Sequence, residues 1–562
     1  MSKFFDTFAA NIPSADAKNR HGENAYSLTG KHALAQLVST GCFRDTFYTK
    51  AQEQLDMILE IASNLDSEYI AKCAVFARQK GFMKDSPALL MAIIATRCKD
   101  EHAKGETKSA TIFRKVFPLV INNGKMLRNL VQILRSGKVD GRNRNLSSNT
   151  VVKKCITNML NNVPEEVLFR WSVGNDPSLA DVFRMVRPKP NNQRRAAFFQ
   201  YLLSSTKVNE ESKERTTVYK GKVLYSHEYK DLPDIIRNYE EFKLNTALPI
   251  PPVHSNLLTF AELTKEQWKE IARNASWQET RQNLNTYLRH DVFSTQEMVD
   301  LISSRLRDKK QIEKANVFPY QLFMAYKQTE GVPYEIVDAL HDAMEIAVES
   351  IPKIEGKIFV LLDISTSMSW PVTGRYSTGV ESKMLCIDVA SLFTSAILRK
   401  NNNSVVIPFN DRVRHCELNS EHTVMKNAET LSAMCGGDTS VKAALESLNK
   451  SDEKGDLIII FSDNESWFDG RNAVRRSLAD AKGTGAQVEW QKFKKRNKNA
   501  KLICLDITPD TNAQIKQRKD VLNIGGFSDE VFKVMASFLE ESSENHWVDV
   551  VESTSLEAES KK

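Results

Sequence analysis

Oxygen-bearing side chains follow a run of apolar residues near position 360. Residues 359–362 are apolar, the run stops at Asp363, and Ser365 and Ser367 follow at alternate positions. A short apolar run bounded by polar residues is typical of a strand that is buried on both faces. The loop after such a strand lies at the edge where open α/β sheets bind ligands. Carboxylate and hydroxyl oxygens there suit a hard cation.

Two later segments carry similar groups. Residues 435–440 read Cys-Gly-Gly-Asp-Thr-Ser before a helix-patterned stretch, and residues 457–461 form an apolar run that leads to Ser462, Asp463 and Glu465. Mg²⁺ takes about six oxygen ligands and keeps several waters, whereas zinc favours sulfur and imidazole. Cys435 is the sole ligand of that second type in the three segments. The pattern therefore favours Mg²⁺ over zinc.

The remainder of the C-terminal third alternates helix and strand patterns. We predict helices over residues 383–399 and 529–539, and strands over residues 404–409 and 501–507. Strands that alternate with helices indicate βαβ crossovers and a parallel sheet. The fold predicted for residues 356–555 is an open, doubly wound α/β domain. Residues 556–562 are polar, and we expect a flexible tail there.

The first 355 residues have a different pattern. Long apolar-periodic segments, among them residues 55–79, 88–95, 110–121 and 126–134, occur with few strand-like runs. Repeated helices without strands indicate packed helix pairs, as in an all-α solenoid, although no repeat of fixed length is visible. We therefore predict two domains, helical over residues 1–355 and α/β beyond.

Positive charge is concentrated in the helical part. The chain has a formal net charge of +6, of which residues 356–562 contribute −2 and the preceding residues +8. An excess of this sign is expected of a surface that meets phosphates, although most lysines and arginines of such a chain are solvated helix faces. Only local groups of basic residues are therefore informative.

Two such groups precede residue 200. The first comprises Arg184, Arg187, Lys189, Arg194 and Arg195, followed by Phe198, Phe199 and Tyr201. Guanidinium groups bind phosphates and stack on bases, and aromatic rings can also stack, although each ring taken singly is better explained as part of a buried helix stripe. The second group lies in a polar stretch and comprises Arg128, Arg135, Lys138, Arg142, Arg144, Lys153 and Lys154. It is either a groove contact or a solvated connection. A third basic run, residues 492–501, is expected to solubilise a helix end.

The three oxygen-rich segments resemble the metal-ion-dependent adhesion site of von Willebrand factor A domains. By that resemblance Asp363, Ser365 and Ser367 would be ligands from the first loop, Thr439 from the second and Asp463 from the third. The order Asp438-Thr439 departs from the Gly-Gly-Thr usual in that family. Which of the two residues is the ligand therefore stays open.

Three N-terminal segments resemble the TROVE module of Ro autoantigen proteins and their bacterial relatives. They are residues 33–41, residues 175–190 with the arginines of the first group, and residues 276–293, which contain His290. The resemblance covers nearly the whole chain. It implies a closed ring of HEAT-like repeats whose hole takes single-stranded RNA ends, and an outer basic surface that binds small structured Y RNAs. It also implies a 3′ exonuclease as a partner, and an RNA-contacting or packing role for His290.

Two alternative functions compete with that of an RNA-binding scaffold for RNA quality control. The metal site could make the chain an adhesion-type protein-interaction module, in which Glu465 would compete for the open metal position. Asp363 and Asp463 could instead hold Mg²⁺ for nucleolysis. Catalysis would need a base near a metal-bound water, and the three loops contain no His. The sequence also lacks a G-x-x-x-x-G-K-[ST] loop and an H-E-x-x-H motif. We therefore expect no enzymatic activity.

Cysteine usage and hydropathy bear on the compartment. The eight cysteines are scattered without a C-x-x-C pair, and no apolar run has the length of a signal peptide or of a membrane span. These features predict a reducing, cytoplasmic setting.

Overall fold

The structure is a computed structural model that describes residues 12–557 with gaps. The segments outside the description are residues 20–21, 40–49, 140–148, 175–176, 209–214, 220–221, 225–230, 259–260, 316, 318, 352, 373–383, 464–481, 527, 529, 542 and the two termini. Three residues from the sequence predictions, Arg142, Arg144 and Glu465, fall in these gaps.

Helices dominate the first 350 residues, as predicted. The helices α1 to α18 span Gly30–Val38, Ala51–Ser63, Ser67–Gln79, Asp85–Ala103, Lys108–Val120, Gly124–Ser136, Thr150–Asn162, Glu165–Arg170, Leu179–Val186, Gln193–Leu203, Asp234–Leu244, Lys265–Asn274, Trp277–Gln282, Leu284–Arg289, Gln296–Arg307, Lys309–Ala315, Pro319–Tyr326 and Tyr334–Ala347. The periodic segment at residues 55–79 is two helices, α2 and α3. The break occurs at Asp66, whose carboxylate accepts hydrogen bonds from the backbone N–H groups of Glu68 and Tyr69 and so begins a new helix.

The helical part also contains short strands, which the sequence did not predict. Strands β1 and β2 span Ala17–Lys18 and Asn24–Ser27. Strands β3, β4 and β5 span Ser205–Val208, Arg215–Tyr219 and Lys222–Leu224 and form an antiparallel sheet. They are too short for a periodicity argument, because three to five residues fit a strand and a buried helical turn equally well.

The C-terminal part is the predicted α/β domain. Strands β6, β7, β8, β9, β10 and β11 span Ile358–Asp363, Ser404–Phe409, Leu457–Ser462, Lys501–Asp506, Asn512–Ala513 and Val521–Gly525. Helices α19 to α24 span Cys386–Lys400, Val424–Ser432, Val441–Lys450, Gly485–Arg496, Glu530–Glu540 and His546–Glu552. Five strands form a parallel sheet in the order β11-β9-β8-β6-β7. The chain leaves β7 at one edge and returns on the other side of β6. The topological switch therefore lies between β6 and β8, where open α/β sheets bind ligands.

Strand β6 explains why its sequence is a continuous apolar run. All six of its residues are buried. Ile358, Val360 and Leu362 pack into a core shared with the helical part, while Phe359 and Leu361 pack into a second core on the opposite face. A strand buried on both faces needs apolar residues at every position.

Both ends of the helical array contact the α/β domain. At the N-terminal end, β2 pairs with β10, and His32 Nε2 and Gln36 Nε2 of α1 lie 3.0 Å from Asn523 O and Asp506 Oδ2. Phe76 of α3 packs edge-on against Trp547 of α24. Burial lowers the pKa of His32 to about 4, so the ring is neutral in this contact at neutral pH.

At the C-terminal end, two ion pairs join the helical array to the α/β domain. Lys327 Nζ, just beyond α17, lies 2.5 Å from Asp388 Oδ1 of α19, and Glu345 of α18 pairs with Arg399 at 3.0 Å. Packing contacts also connect α17 to α19 and α18 to α20. The helical array therefore contacts the α/β domain at both of its ends.

Two further features concern the ends and surfaces of the chain. Beyond the predicted last helix lies α24, and in the segment 556–562 Glu557 Oε1 is 3.2 Å from Lys115 Nζ, while residues 558–562 lie outside the description. Among the described helices, none is both long and apolar enough to cross a membrane.

Candidate functional site

The first loop begins with a carboxylate that is fully buried at the end of β6. Asp363 accepts hydrogen bonds from Ser365 N–H at 2.9 Å and from Ser462 Oγ at 2.7 Å, and Ser462 ends the neighbouring strand β8. Burial raises the pKa of Asp363, and the hydrogen bonds from Ser365 and Ser462 act against that rise. Ser365 Oγ and Ser367 Oγ lie 3.1 Å apart. The loop thus gathers a carboxylate and two hydroxyls in a buried place.

The second loop lies directly against the first. Gly436 N–H donates to Ile364 O at 2.6 Å, and Thr366 N–H donates to Gly437 O at 2.9 Å. Gly437 has φ of 94°, and a Cβ there would lie 2.6 Å from Asn410 Nδ2. This close approach requires glycine at position 437.

Burial distinguishes Asp438 from Thr439, the two residues whose order departs from the family pattern. Thr439 is 8% exposed, whereas Asp438 lies on the surface. The predicted ligands of the first loop are buried, and Thr439 is buried in the same way. Thr439 rather than Asp438 therefore fits a site formed with that loop. In the third loop, Asp463 is 2% exposed and its backbone carbonyl lies 3.3 Å from Thr508 Oγ1.

Electrostatics at Cys435 show that the three loops converge. Its Sγ donates to Ser365 O at 3.2 Å. The pKa of the thiol is raised to about 11, first by burial and then by the negative charges of Asp363, Asp388 and Asp463. Carboxylates from the first and third loops therefore lie close enough to act on one atom of the second loop.

The donor set suits a hard cation. The oxygen-bearing side chains of the three adjoining loops, Asp363, Ser365, Ser367, Thr439 and Asp463, are all buried. Two carboxylates with three hydroxyls leave room for the waters that Mg²⁺ retains. Within the described ranges, no three His, Cys, Asp or Glu side chains cluster as zinc would require. The residues present therefore fit Mg²⁺.

A groove of about 790 Å³ contains two exposed members of the first basic group, Arg184 and Arg187. Arg184, Arg187, Pro188 and Pro190 line it together with Phe183 and Phe199. The two phenylalanine rings pack edge to face at 4.7 Å and are buried, as is Phe198. These rings belong to the core, and the arginines rather than the aromatics form the accessible surface.

Arg187 has an unusual backbone conformation. It ends α9 with φ of 51°, in the left-handed region, and its N–H donates to Phe183 O at 2.8 Å. Helices commonly end with such a residue, which is usually glycine or asparagine, and Pro188 next in the chain disfavours a right-handed conformation at position 187. An arginine held in this conformation at a groove points to a function for its side chain.

Two members of the first basic group are structural. Arg195 is 8% exposed, and its Nη2 donates to the backbone carbonyls of Asn161 and Val163 at 3.0 and 2.7 Å. Arg194 makes two hydrogen bonds of 2.8 and 2.7 Å to the carboxylate of Glu165. Arg195 holds α10 against α7, which corrects its assignment as an accessible RNA contact. Arg194 is exposed, but its guanidinium group is paired with Glu165.

A second groove, of about 590 Å³, lies on the other side of the same chain segment. Lys153, Lys154 and Asn158 of α7 line it, together with Lys189 and Asn191. Residues 188 and 190 thus line the first groove and residues 189 and 191 the second, the alternation expected of extended backbone. Lys153 and Lys154, on adjacent positions of α7, belong to the second basic group, for which the sequence left a groove contact and a solvated connection open.

The remaining predicted contacts lie elsewhere. Lys138 Nζ lies 3.1 Å from Gln52 Oε1 of α2. His290 is exposed and stacks on Trp268 with a centroid distance of 4.3 Å. Neither lines the two grooves. In the third basic run, Lys492, Lys494 and Arg496 pair with acidic residues, as a solubilising helix end would.

Comparisons with known proteins agree with this architecture. Residues 357–539 match the family model of the Ro60 von Willebrand factor A domain. The RNA-binding protein RO60 of Deinococcus radiodurans is 20% identical over 550 residues, which cover 94% of this chain and 96% of that protein. Residues 357–539 thus resemble the von Willebrand factor A domain of Ro60, and almost the whole chain is similar to a Ro protein.

A solved structure shows that the whole Ro-type fold is shared. The crystal structure of the Deinococcus radiodurans Ro (Rsr) protein matches with a TM-score of 0.55 and 16% identity, over 91% of this chain and 99% of that one. The match spans the helical array and the α/β domain together, so the order of the two parts is a property of the Ro-type fold.

Proposed function

We propose that this Ro-type chain is an RNA-binding scaffold. In this proposal the two grooves beside residues 187–191 bind a small structured, Y-like RNA, and the array takes the single-stranded 3′ end of misfolded or decaying RNA through its centre. The role is to assist RNA quality control, without catalysis by the chain itself and within the cytoplasm. A relative that spans nearly the whole chain is named as an RNA-binding protein, which supports the first part.

The observation that carries the proposal is the exposed basic ridge. Arg184, Arg187 and Lys189 are all exposed, and Arg184 pairs with Asp181 at 2.8 Å. Among the residues that the structure describes, no acidic side chain lines either groove. A cationic ridge between two grooves can contact the phosphates of two RNA strands, or of both sides of one bent RNA strand. Phosphate contacts give affinity but little recognition of the base sequence.

The metal site supports a second role for the α/β domain. We propose that Asp363, Ser365, Ser367, Thr439 and Asp463 hold Mg²⁺, which would supply an open position for a carboxylate of a protein partner such as a 3′ exoribonuclease. The buried convergence of these oxygens favours this role. The ion pairs and strand pairing that join this domain to both ends of the array would keep the captured partner beside bound RNA.

Replacing both exposed arginines tests RNA binding. We expect Arg184→Ala with Arg187→Ala to weaken binding of a small structured RNA about 10- to 100-fold, because two phosphate contacts are lost. The slope of log affinity against log salt should fall by about 1.4 to 1.8, from roughly 0.7 to 0.9 per contact. Equilibrium binding across a salt series measures both effects.

The matched control removes the same charge elsewhere. Arg237→Ala with Lys309→Ala deletes two exposed basic residues that pair with Asp234 and Glu349 and line neither groove. This variant should bind almost as the original chain does. An equal loss in both variants would mean that only net charge matters, and the ridge would then not be the binding site.

A further inference from the structure

A third cavity lies between helices of the array, away from the basic ridge. It has a volume of about 320 Å³ and is bounded by the connector at residues 250–255, by α12 and by the paired short helices α13 and α14. This size is at the lower end of pockets that hold small molecules and is comparable to a single nucleotide. The segment 276–293, which the sequence singled out, supplies one wall.

One wall of the cavity is apolar and rigid. Pro251, Pro252 and Ile271 line it. Pro251 is buried, and two consecutive prolines fix the backbone of the connector. A preformed apolar surface of this kind can pack against a planar ring and requires little ordering on binding.

Polar side chains also line the cavity. Glu270, Glu279 and Asn283 line the cavity. Glu279 is held in place because its Oε2 accepts hydrogen bonds from Ser276 N–H at 3.0 Å and Ser276 Oγ at 2.8 Å. Those bonds, with the positive charge of Arg170, hold the pKa of Glu279 below its usual range although burial acts to raise it. The cavity therefore presents acceptors at neutral pH.

Donors complete the rim. His254 Nδ1 accepts a hydrogen bond from Asn256 N–H at 3.2 Å, which leaves Nε2 to carry the proton of the neutral ring and to donate. Arg170 adds a cation at the edge of the cavity. At its base lies Tyr287, which is fully buried and whose hydroxyl has no hydrogen-bond partner in the described structure. This hydroxyl is therefore available to a ligand in the cavity.

This combination discriminates among planar ligands. Guanine is the one common base whose Watson–Crick edge places two N–H donors, N1–H and the N2 amino group, side by side, so that one carboxylate can accept from both. Adenine, cytosine and uracil place an acceptor next to their donor, and a carboxylate there would face a lone pair. The O6 atom of guanine needs a donor, which His254 or Asn283 can supply, and a 5′ phosphate needs a cation such as Arg170.

We propose that the cavity lined by Pro251, Glu270, Glu279 and His254 is a guanine-binding pocket, which takes either a free guanine nucleotide or an unpaired guanine of bound RNA. The second source rests on the proposed RNA-binding function, and the first does not. Within RNA, the pocket would add sequence preference to a surface that otherwise reads phosphates.

Titration of the full chain with guanosine 5′-monophosphate, inosine 5′-monophosphate and uridine 5′-monophosphate, by calorimetry, tests the pocket. Inosine lacks the N2 amino group, so we expect it to bind about tenfold more weakly than guanosine, and uridine more weakly still. Glu270→Gln should weaken guanosine binding about tenfold and reduce the difference in affinity between guanosine and inosine. Glu262→Gln, an exposed residue that does not line the cavity, is the matched control and should change nothing.

A second titration uses single-stranded oligonucleotides that differ in one guanosine or inosine. Preference for guanosine that is lost in Glu270→Gln, either with the mononucleotide or only within the oligonucleotide, supports the pocket and identifies the source of its ligand. Equal binding of guanosine and uridine in both formats would overturn the pocket. RNA binding that persists while this preference is absent would leave the proposed scaffold function intact.

Discussion

The helical array and the α/β domain use charged residues in opposite ways. Arg184, Arg187 and Lys189 are exposed on a ridge between two grooves, whereas Asp363 and Asp463 are buried at the edge of a sheet. Exposed cations interact with a long polyanion through a screened field, so their effect falls with salt. A buried carboxylate needs a partner of opposite charge within contact distance. One domain is thus suited to a polymer and the other to a single ion.

The largest effect is expected from Mg²⁺ binding to the buried loops of the α/β domain. We expect Mg²⁺ to stabilise the original chain by about 2.7 kcal/mol at a concentration of 100 times its Kd, because it binds only the folded state. Asp363→Ala should abolish that difference, since it removes the central carboxylate. Thermal melting with Mg²⁺ and with EDTA measures it.

The exposed neighbour in the second loop provides the control for this experiment. Asp438→Ala should retain the Mg²⁺-dependent rise in melting temperature, and Thr439→Val should reduce it, because Thr439 is the buried member of the pair. The reverse result would exchange their roles. Identical melting of the original chain in Mg²⁺ and EDTA would show that these loops hold no ion.

A smaller effect is expected at the contact between the two parts. Lys327→Met leaves the carboxylate of Asp388, which is 1% exposed, without its ammonium partner. Loss of one partner from a buried pair costs about 3 to 5 kcal/mol, and since about a third of the Lys327 side chain is exposed we expect about 2 kcal/mol. Urea unfolding of the full chain measures the change in free energy.

Lys309→Met is the matched variant for this pair. It breaks the ion pair between Lys309 and Glu349, in which both side chains are about half exposed, and should leave the unfolding midpoint nearly unchanged. If the two variants shift the midpoint equally, the contact through Asp388 contributes no more than a surface pair.

The two regions also differ in how far their sequences predict them. In the α/β domain, the strand at Asp363 and the loops at residues 435–440 and 462–463 follow directly from the sequence, because strands buried on both faces are continuous apolar runs and end at the ligand edge. Because Asp363 ends a buried strand, residue type and spacing were enough to predict where it lies in the domain.

In the helical array, residue type was not enough. Arg194 and Arg195 are adjacent and chemically identical, yet one lies on the surface beside Glu165 and the other is buried against backbone carbonyls. Their difference depends on how α10 packs on α7, which no local pattern contains. The strands β3 to β5 were missed for a related reason, since short antiparallel strands are determined by their pairing rather than by their own periodicity.

The most direct test of the central claim is binding of the full chain to a small RNA duplex with or without a single-stranded 3′ tail. The measurement runs across a salt series, first in Mg²⁺ and then in EDTA. We predict tighter binding of the tailed RNA, a steep decrease of affinity with salt, and no change on addition of EDTA, because the exposed ridge binds RNA and the buried loops bind the ion. Equal weak binding of both RNAs, or loss of binding in EDTA, would contradict that division.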